Sequence, residues 1–163
     1  NFKIKIIISD ERTKLLNTGG GIFKGTESFN DDPFIVINPD TIWGSSYIEE
    51  LKALEQLYIK TNKTTLLVVD KSLSFDTSFK GDFSVDANNK LSKNNTNKFI
   101  FTGMQILNRT IFKKTKKNIF SMNEIWDNLI LEENILGLKS KNKFYHLNSK
   151  NIHEELSKNK IID

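Results

Sequence analysis

The sequence predicts an α/β protein in which helices cover both faces of a mixed, mostly parallel sheet. Three observations predict it. Segments 2–8, 33–38 and 64–70 are or become continuously apolar, the mark of strands buried on both faces. Helical signals lie between them, so strand and helix alternate as in a parallel sheet. The second half then offers shorter strands separated by turns, which suits an insertion pairing antiparallel.

Each element has a local reason. Residues 2–8 alternate and then run apolar, and Ser9-Asp10-Glu11-Arg12 ends the strand. Thr18-Gly19-Gly20-Gly21 reads as a loop leading into a short helix, since three glycines accept any φ and let backbone amides approach a ligand. The run matches neither G-x-G-x-x-G nor the P-loop. Residues 33–38 form the second strand, broken at its carboxyl end by Pro39-Asp40. Ser46 and Glu49 have capping-box spacing, and Ile48, Leu51, Leu54 and Leu57 follow at helical intervals to about Lys60. Residues 64–70 are the third strand. Segments 81–86 and 98–107 read as strands flanking the turn-rich 87–90, and a second capping box, Ser121 with Glu124, starts a helix through about Glu133. Residues 136–139 and 144–147 read as short strands, and 151–158 as a closing helix.

The 163 residues suit one domain spanning 1–163. The absence of Cys excludes a disulfide scaffold, a thiolate zinc site and a cysteine nucleophile. No apolar run approaches the ~20 residues that span a bilayer, and the first residues are too mixed for a signal peptide, so a cytoplasmic protein without membrane partners is expected. The formal charge of +4 says little about partners, because 22 of the 24 basic residues are lysines and only Arg12 and Arg109 carry the planar fork suited to phosphate and base edges. The run 113–117 lacks interleaved aromatics and reads as a solvated loop, so no nucleic-acid partner is expected.

Ligands of open α/β sheets bind beyond the carboxyl ends of the strands. Asp40 stands there, either holding Mg²⁺ or capping the helix that follows. A catalytic triad is not supported: His146 and His153 are the only histidines, and no Ser sits in a Gly-x-Ser-x-Gly elbow. His153 reads as surface, and Asp82 and Asp86 as solvated.

The order of segments resembles the sugar-1-phosphate nucleotidyltransferases, in the N-acetylmuramate-1-phosphate uridylyltransferase and mannose-1-phosphate guanylyltransferase-like branch. The carrying blocks are residues 8–12, 16–22, 33–40, 81–83, 101–107, 120–127 and 145–149. The resemblance implies a Rossmann-like nucleotide-diphospho-sugar transferase fold. It also implies a Mg²⁺-dependent reaction in which a sugar 1-phosphate, N-acetylmuramate 1-phosphate, attacks the α-phosphate of an NTP, UTP, and pyrophosphate leaves. By similarity, Asp40 binds Mg²⁺. Glu11 and the loop of Thr18, Gly19, Gly20 and Gly21 lie along the base and ribose, and Asn38, Gly81, Thr102 and Gly103 line the sugar-phosphate side. His146 stands where many members carry a second metal-binding Asp, and it can ligate the metal, contact phosphate or serve structure alone.

Some positions depart from the family pattern. Asn17 replaces a common acidic residue, Pro39 replaces a small one, and Asn148-Ser149-Lys150 replaces Gly-Thr-Pro. The family's G-x-G-x-R triphosphate loop has no counterpart, so roughly 60–80 residues, about two βα units, are expected to be missing. The chain alone is then expected to be inactive without a separate amino-terminal segment. The alternative is a non-catalytic nucleotide-sugar-binding protein or assembly subunit.

Overall fold

The computed structural model describes residues 3–30, 33–159 and 161. Its centre is β2 (Thr64–Asp70), whose first six residues are all buried. Because strand side chains alternate between faces, Leu66 and Val68 enter one core and Leu67 the other. Two helices cover the first face: α1 (Asn17–Gly25) and α3 (Met122–Leu131). The second face is covered by α2 (Tyr47–Thr61) through Tyr47, Leu54 and Tyr58.

Four strands form the main sheet in the order β1 (Phe34–Ile37), β5 (Phe99–Leu107), β2, β6 (Ile135–Ser140). Strands β1, β2 and β6 point one way. Only β2 and β6 pair in parallel, because β5 runs the other way between β1 and β2. The register of β2 against β5 slips between Leu66 and Val68, where β5 bulges over Thr102, Gly103 and Met104. Gly103 has φ +96°, and a Cβ there would lie 2.7 Å from the Asn38 Cβ. Glycine therefore lets the end of β1 close onto β5, where the Asn38 N–H donates to the Gly103 carbonyl at 2.8 Å.

Several expectations need correction. Residues 5–8 form no strand and are exposed, with Ile8 at 85%, while Phe2 lies outside the described residues. A strand needs a neighbour for its backbone groups, and no described strand flanks this run, so its amides are left to water. The run Thr18-Gly19-Gly20-Gly21 is no loop but the first turns of α1. Ser46 does not cap α2: its own φ and ψ are helical (−61°, −23°), its side chain makes no capping bond, and Glu49 pairs with Lys52 instead. The strand expected at 81–86 shortens to β3 (Ser84–Val85), which pairs with β4 (Leu91–Ser92), a partner not foreseen. Segment 144–147 contributes isolated bridges rather than a continuous strand. The Ser121 capping box is present, with both reciprocal bonds, and α4 (Lys150–Lys158) closes the described chain behind a Ser149 cap.

Candidate functional site

The site is built where β1 ends. Beyond Ile37 the chain turns through Asn38, Pro39 and Asp40, and the Thr41 hydroxyl donates to the Thr102 carbonyl at 2.7 Å. Segment 144–147 is stitched alongside. Ile42 N–H donates to the Tyr145 carbonyl at 3.0 Å, Leu147 N–H to the Asp40 carbonyl at 2.7 Å, and Phe75 N–H on the far side to the Phe144 carbonyl at 2.9 Å. These bonds bring together two residues 106 positions apart. Asp40 Oδ2 lies 3.3 Å from His146 Nε2. The imidazole sits among Phe79 and Phe144, with ring centroids at 5.7 and 5.9 Å. Asp76 also faces it electrostatically, its carboxyl held below the usual value first by hydrogen bonds from Ser78 and then by one from Asn148.

Two atoms of this pair are unusual. Asp40 Oδ1 and His146 Nδ1 are both buried without a hydrogen-bond partner. Buried polar atoms are nearly always paired, so one orphaned atom on each member of this pair leaves hydrogen-bonding or ligating capacity for a further group. Among the described residues no group of three or more His, Cys, Asp or Glu side chains could cage a metal. The donor set fits Mg²⁺ nonetheless, because Mg²⁺ is commonly held by one or two carboxylates and completes its shell with water and phosphate.

His146 opens onto a cavity of about 280 Å³ floored by Ile100, Phe101 and Gln105 of β5. Asn38 borders it at the end of β1, Asp82 at one side, and the amino-terminal ends of α1 and α3 at another. Two helix dipoles thus converge with their positive ends on one cavity, which favours an anionic occupant. Many of the terminal amides are already taken. Met122 N–H donates to the Thr18 hydroxyl at 3.0 Å, and the Gly19 and Gly20 N–H groups donate to the Phe120 carbonyl at 3.0 and 3.1 Å. The residue leading in, Asn17, adopts φ +64° and accepts from Thr18 N–H at 2.7 Å.

The residues expected at the site are therefore divided. Asn38, Thr18 and His146 line the cavity, with Asp40 against His146. Gly19 and Gly20 do not: a Cβ would lie 2.4 Å from the Phe120 ring or 2.3 Å from the Asn118 carbonyl, so these glycines allow α1 to press against the chain entering α3. Gly21 adjoins the Glu11 carboxylate, which accepts from Leu16 N–H at 2.9 Å and so braces the approach to α1. Thr102 is 1% exposed, and its hydroxyl donates to the Leu67 carbonyl at 2.9 Å. Gly103 and Gly81, the latter at φ +95°, act by backbone shape, and Gly81 delivers its neighbour Asp82 to the rim.

Sequence reasoning missed Asp82, Trp126 and Asn123. Asp82 is exposed, as its solvated reading expects, and it also borders the cavity and accepts from Phe101 N–H at 2.8 Å. Trp126 reads as a core residue of a helix. It is buried, with its indole N–H donating to Gln105 Oε1 at 3.1 Å, and it also forms cavity wall. The available signal was the Gly81-Asp82-Phe83 block.

No family model matches the chain, and none of the curated proteins does. Solved structures do. The chain resembles apo UDP-glucose pyrophosphorylase at 19% identity and a TM-score of 0.71, with 92% of this chain and 62% of that chain covered. It resembles HddC from Yersinia pseudotuberculosis complexed with GMP-PN at 17% and 0.63, with 91% and 64% covered. A putative glucose-1-phosphate thymidylyltransferase from Bacillus anthracis gives 12% and 0.66, with 90% and 62% covered. The likenesses show the fold alone, a Rossmann-like α/β fold shared with these structures. The chain spans less than two thirds of the length of each.

Proposed function

We propose that this chain carries the sugar-phosphate side and part of the nucleotide side of a Mg²⁺-dependent nucleotidyltransferase. The preferred substrates are UTP and N-acetylmuramate 1-phosphate. One observation carries the reading: Asp40 and His146, distant in sequence, meet at 3.3 Å with one buried unpaired atom each, at the mouth of a cavity faced by two helix N-termini. In the reaction a sugar-phosphate oxygen forms a bond to the α-phosphorus of the NTP. The α–β anhydride bond breaks and pyrophosphate departs with its electron pair. Such in-line transfer needs positioning and charge neutralisation more than covalent help.

Asp40 would hold Mg²⁺ through its orphaned Oδ1, and the ion would neutralise phosphate charge when bound. His146 holds the Asp40 carboxylate in place, and its Phe79 and Phe144 neighbours limit water on that side. Asn38 and Asn123 offer amides to sugar hydroxyls, and Trp126 offers an apolar wall. The site is completed, on this reading, by a separate amino-terminal segment bringing the triphosphate loop. The reading draws support from the unpaired outer edge of β1 and the exposed apolar 4–8 run. It places the protein in the cytoplasm. Among the described residues no helix is long and apolar enough to cross a membrane.

The test is reconstitution. The chain is mixed with, or fused to, a segment carrying a G-x-G-x-R loop, and pyrophosphate release from UTP and sugar 1-phosphate is measured. Release is expected only with both parts and Mg²⁺, and Asp40→Asn is expected to lower it by about 10²-fold or more. A folded reconstituted protein without turnover, or full activity in Asp40→Asn, defeats the proposal. A second reading, a nucleotide-sugar-binding subunit without catalysis, is favoured by the Gly19 and Gly20 amides being bonded to Phe120. It predicts that UDP-sugar raises the melting temperature while no pyrophosphate is released, even from the folded reconstituted protein.

A further inference from the structure

The opposite flank of α1 borders a second cavity, of about 340 Å³, that the proposed transferase chemistry does not use. Its lining includes Gly20, Phe23 and Lys24, which share one face of the helix at spacings of three and four, and Glu27 in the turn that follows it, together with Lys14 and Arg109. Its charge is unbalanced. Three cationic side chains, Lys14, Lys24 and Arg109, stand against the single carboxylate of Glu27, a surplus of two positive charges.

Arg109 is the telling residue. It is one of two arginines in the chain, and the other, Arg12, is an exposed residue paired with Asp10 at 2.6 Å. Arg109 is half-buried, has no ion-pair partner among the described residues, and its Nε is buried with no acceptor. Its guanidinium lies over the Phe23 ring at 5.1 Å. That contact satisfies the face of the cation. A ring face accepts no in-plane hydrogen bond, and the buried Nε is left without an acceptor. A partly desolvated cation with unmet donors is costly unless an anion joins it, and the planar fork matches a phosphate. Lys24 donates to the Asp10 carbonyl, which fixes its ammonium beside the cavity while leaving further N–H donors free. Lys14 spends its backbone N–H on the Glu11 carbonyl at 3.0 Å, and its ammonium has no hydrogen-bond or ion-pair partner among the described residues.

We infer that this cavity is a binding site for the phosphate group of a small phosphorylated molecule, held by Arg109, Lys14 and Lys24. A phosphate monoester carries about −1.5 to −2 charge at neutral pH, which matches the surplus. The volume falls at the lower end of the range for small-molecule sites. The site is independent of the transferase reading, because it lies on the other side of α1 and shares no lining residue with the cavity at His146.

Inorganic phosphate is the probe, titrated into the protein with binding followed by ³¹P line broadening and by the melting temperature. The wild-type chain is expected to bind at millimolar phosphate. Arg109→Met, which keeps a chain for Phe23 to cover, is expected to weaken binding about tenfold, and Lys14→Gln about threefold. Lys60→Gln on α2 serves as a control and should change nothing. Far-UV circular dichroism without phosphate checks folding. Should Arg109→Met not fold, the exposed Lys14 decides alone: a threefold loss in Lys14→Gln supports the site and unchanged binding overturns it. The inference also fails if wild type shows no binding to about 20 mM phosphate, or if His146→Gln abolishes binding while Arg109→Met leaves it intact.

Discussion

Replacing Gly103 by Ala tests how the site is positioned. The residue sits in the β5 bulge at φ +96°, a conformation costing an L-residue about 1–3 kcal/mol. The new methyl would lie 2.7 Å from Asn38 Cβ, closer than carbon atoms approach, and the neighbour is a strand end rather than a flexible side-chain tip. Relieving that contact means parting β1 from β5, at about 1–3 kcal/mol for overpacking. The sum, about 2–6 kcal/mol, should lower the urea midpoint by about 1–3 M for a slope near 2 kcal/mol/M. Gly44→Ala is the control, since its nearest foreign atom is Ser46 Oγ at 3.9 Å and its φ is not positive. It should stay within about 0.5 kcal/mol of wild type. A Gly103→Ala midpoint within about 0.3 M of wild type, or an equal loss in both variants, refutes the claim that glycine is needed for this bulge.

Other outcomes follow from single contacts. Ser121→Ala removes the side chain that accepts from Asn123 N–H at 3.2 Å and breaks the capping box, so it should cost about 1 kcal/mol in the same urea assay, while Ser46→Ala should cost almost nothing. Tyr47 is buried, and burial first, then the Glu50 charge and Tyr145, push its phenol up to about 12. A raised folded-state value means the stabilisation is complete below pH ~10 and is lost as pH rises through about 12, a swing of about 2–3 kcal/mol. The stability gap between wild type and Tyr47→Phe should therefore narrow between those pH values. A gap independent of pH would show that burial does not hold the proton there.

The features legible in the sequence are those whose cause is local or whose burial is complete. Segment 64–70 has four consecutive apolar residues, Leu66 to Val69, and is the central strand. Ser121 and Glu124 cap a helix because Ser121 takes an extended conformation, which aims its hydroxyl at the free amides of the first turn. Ser46 has the same spacing to Glu49, but it is already helical, and spacing does not encode its backbone angles. The glycines of α1 illustrate a different limit. Helix propensity argues for a loop, and the energy that overrides it comes from Phe120, about a hundred residues away. The pairing of Asp40 with His146 was anticipated only as two roles in one family pattern. The bonds that bring them together, from Leu147 to Asp40 and from Ile42 to Tyr145, are between backbones and leave no mark on residue type. Asp82 is exposed as its sequence context suggests, but nothing in residue type says that the water it faces fills a cavity.

The exposed run at 4–8 also bears on how the protein behaves in a tube. Ile4, Ile6, Ile7 and Ile8 are 61–85% exposed, and the stretch is β-branched and free of proline. Such a segment is a template for cross-β stacking between copies, and the edge strand β1 adds Ile35 and Ile37 at 46% and 48% exposure. Lys3 and Lys5 act as gatekeepers by charge repulsion, which salt screens. Solubility should therefore fall as ionic strength rises, with thioflavin-positive material appearing first at high protein concentration. Ile6→Lys should suppress it without touching the folded core.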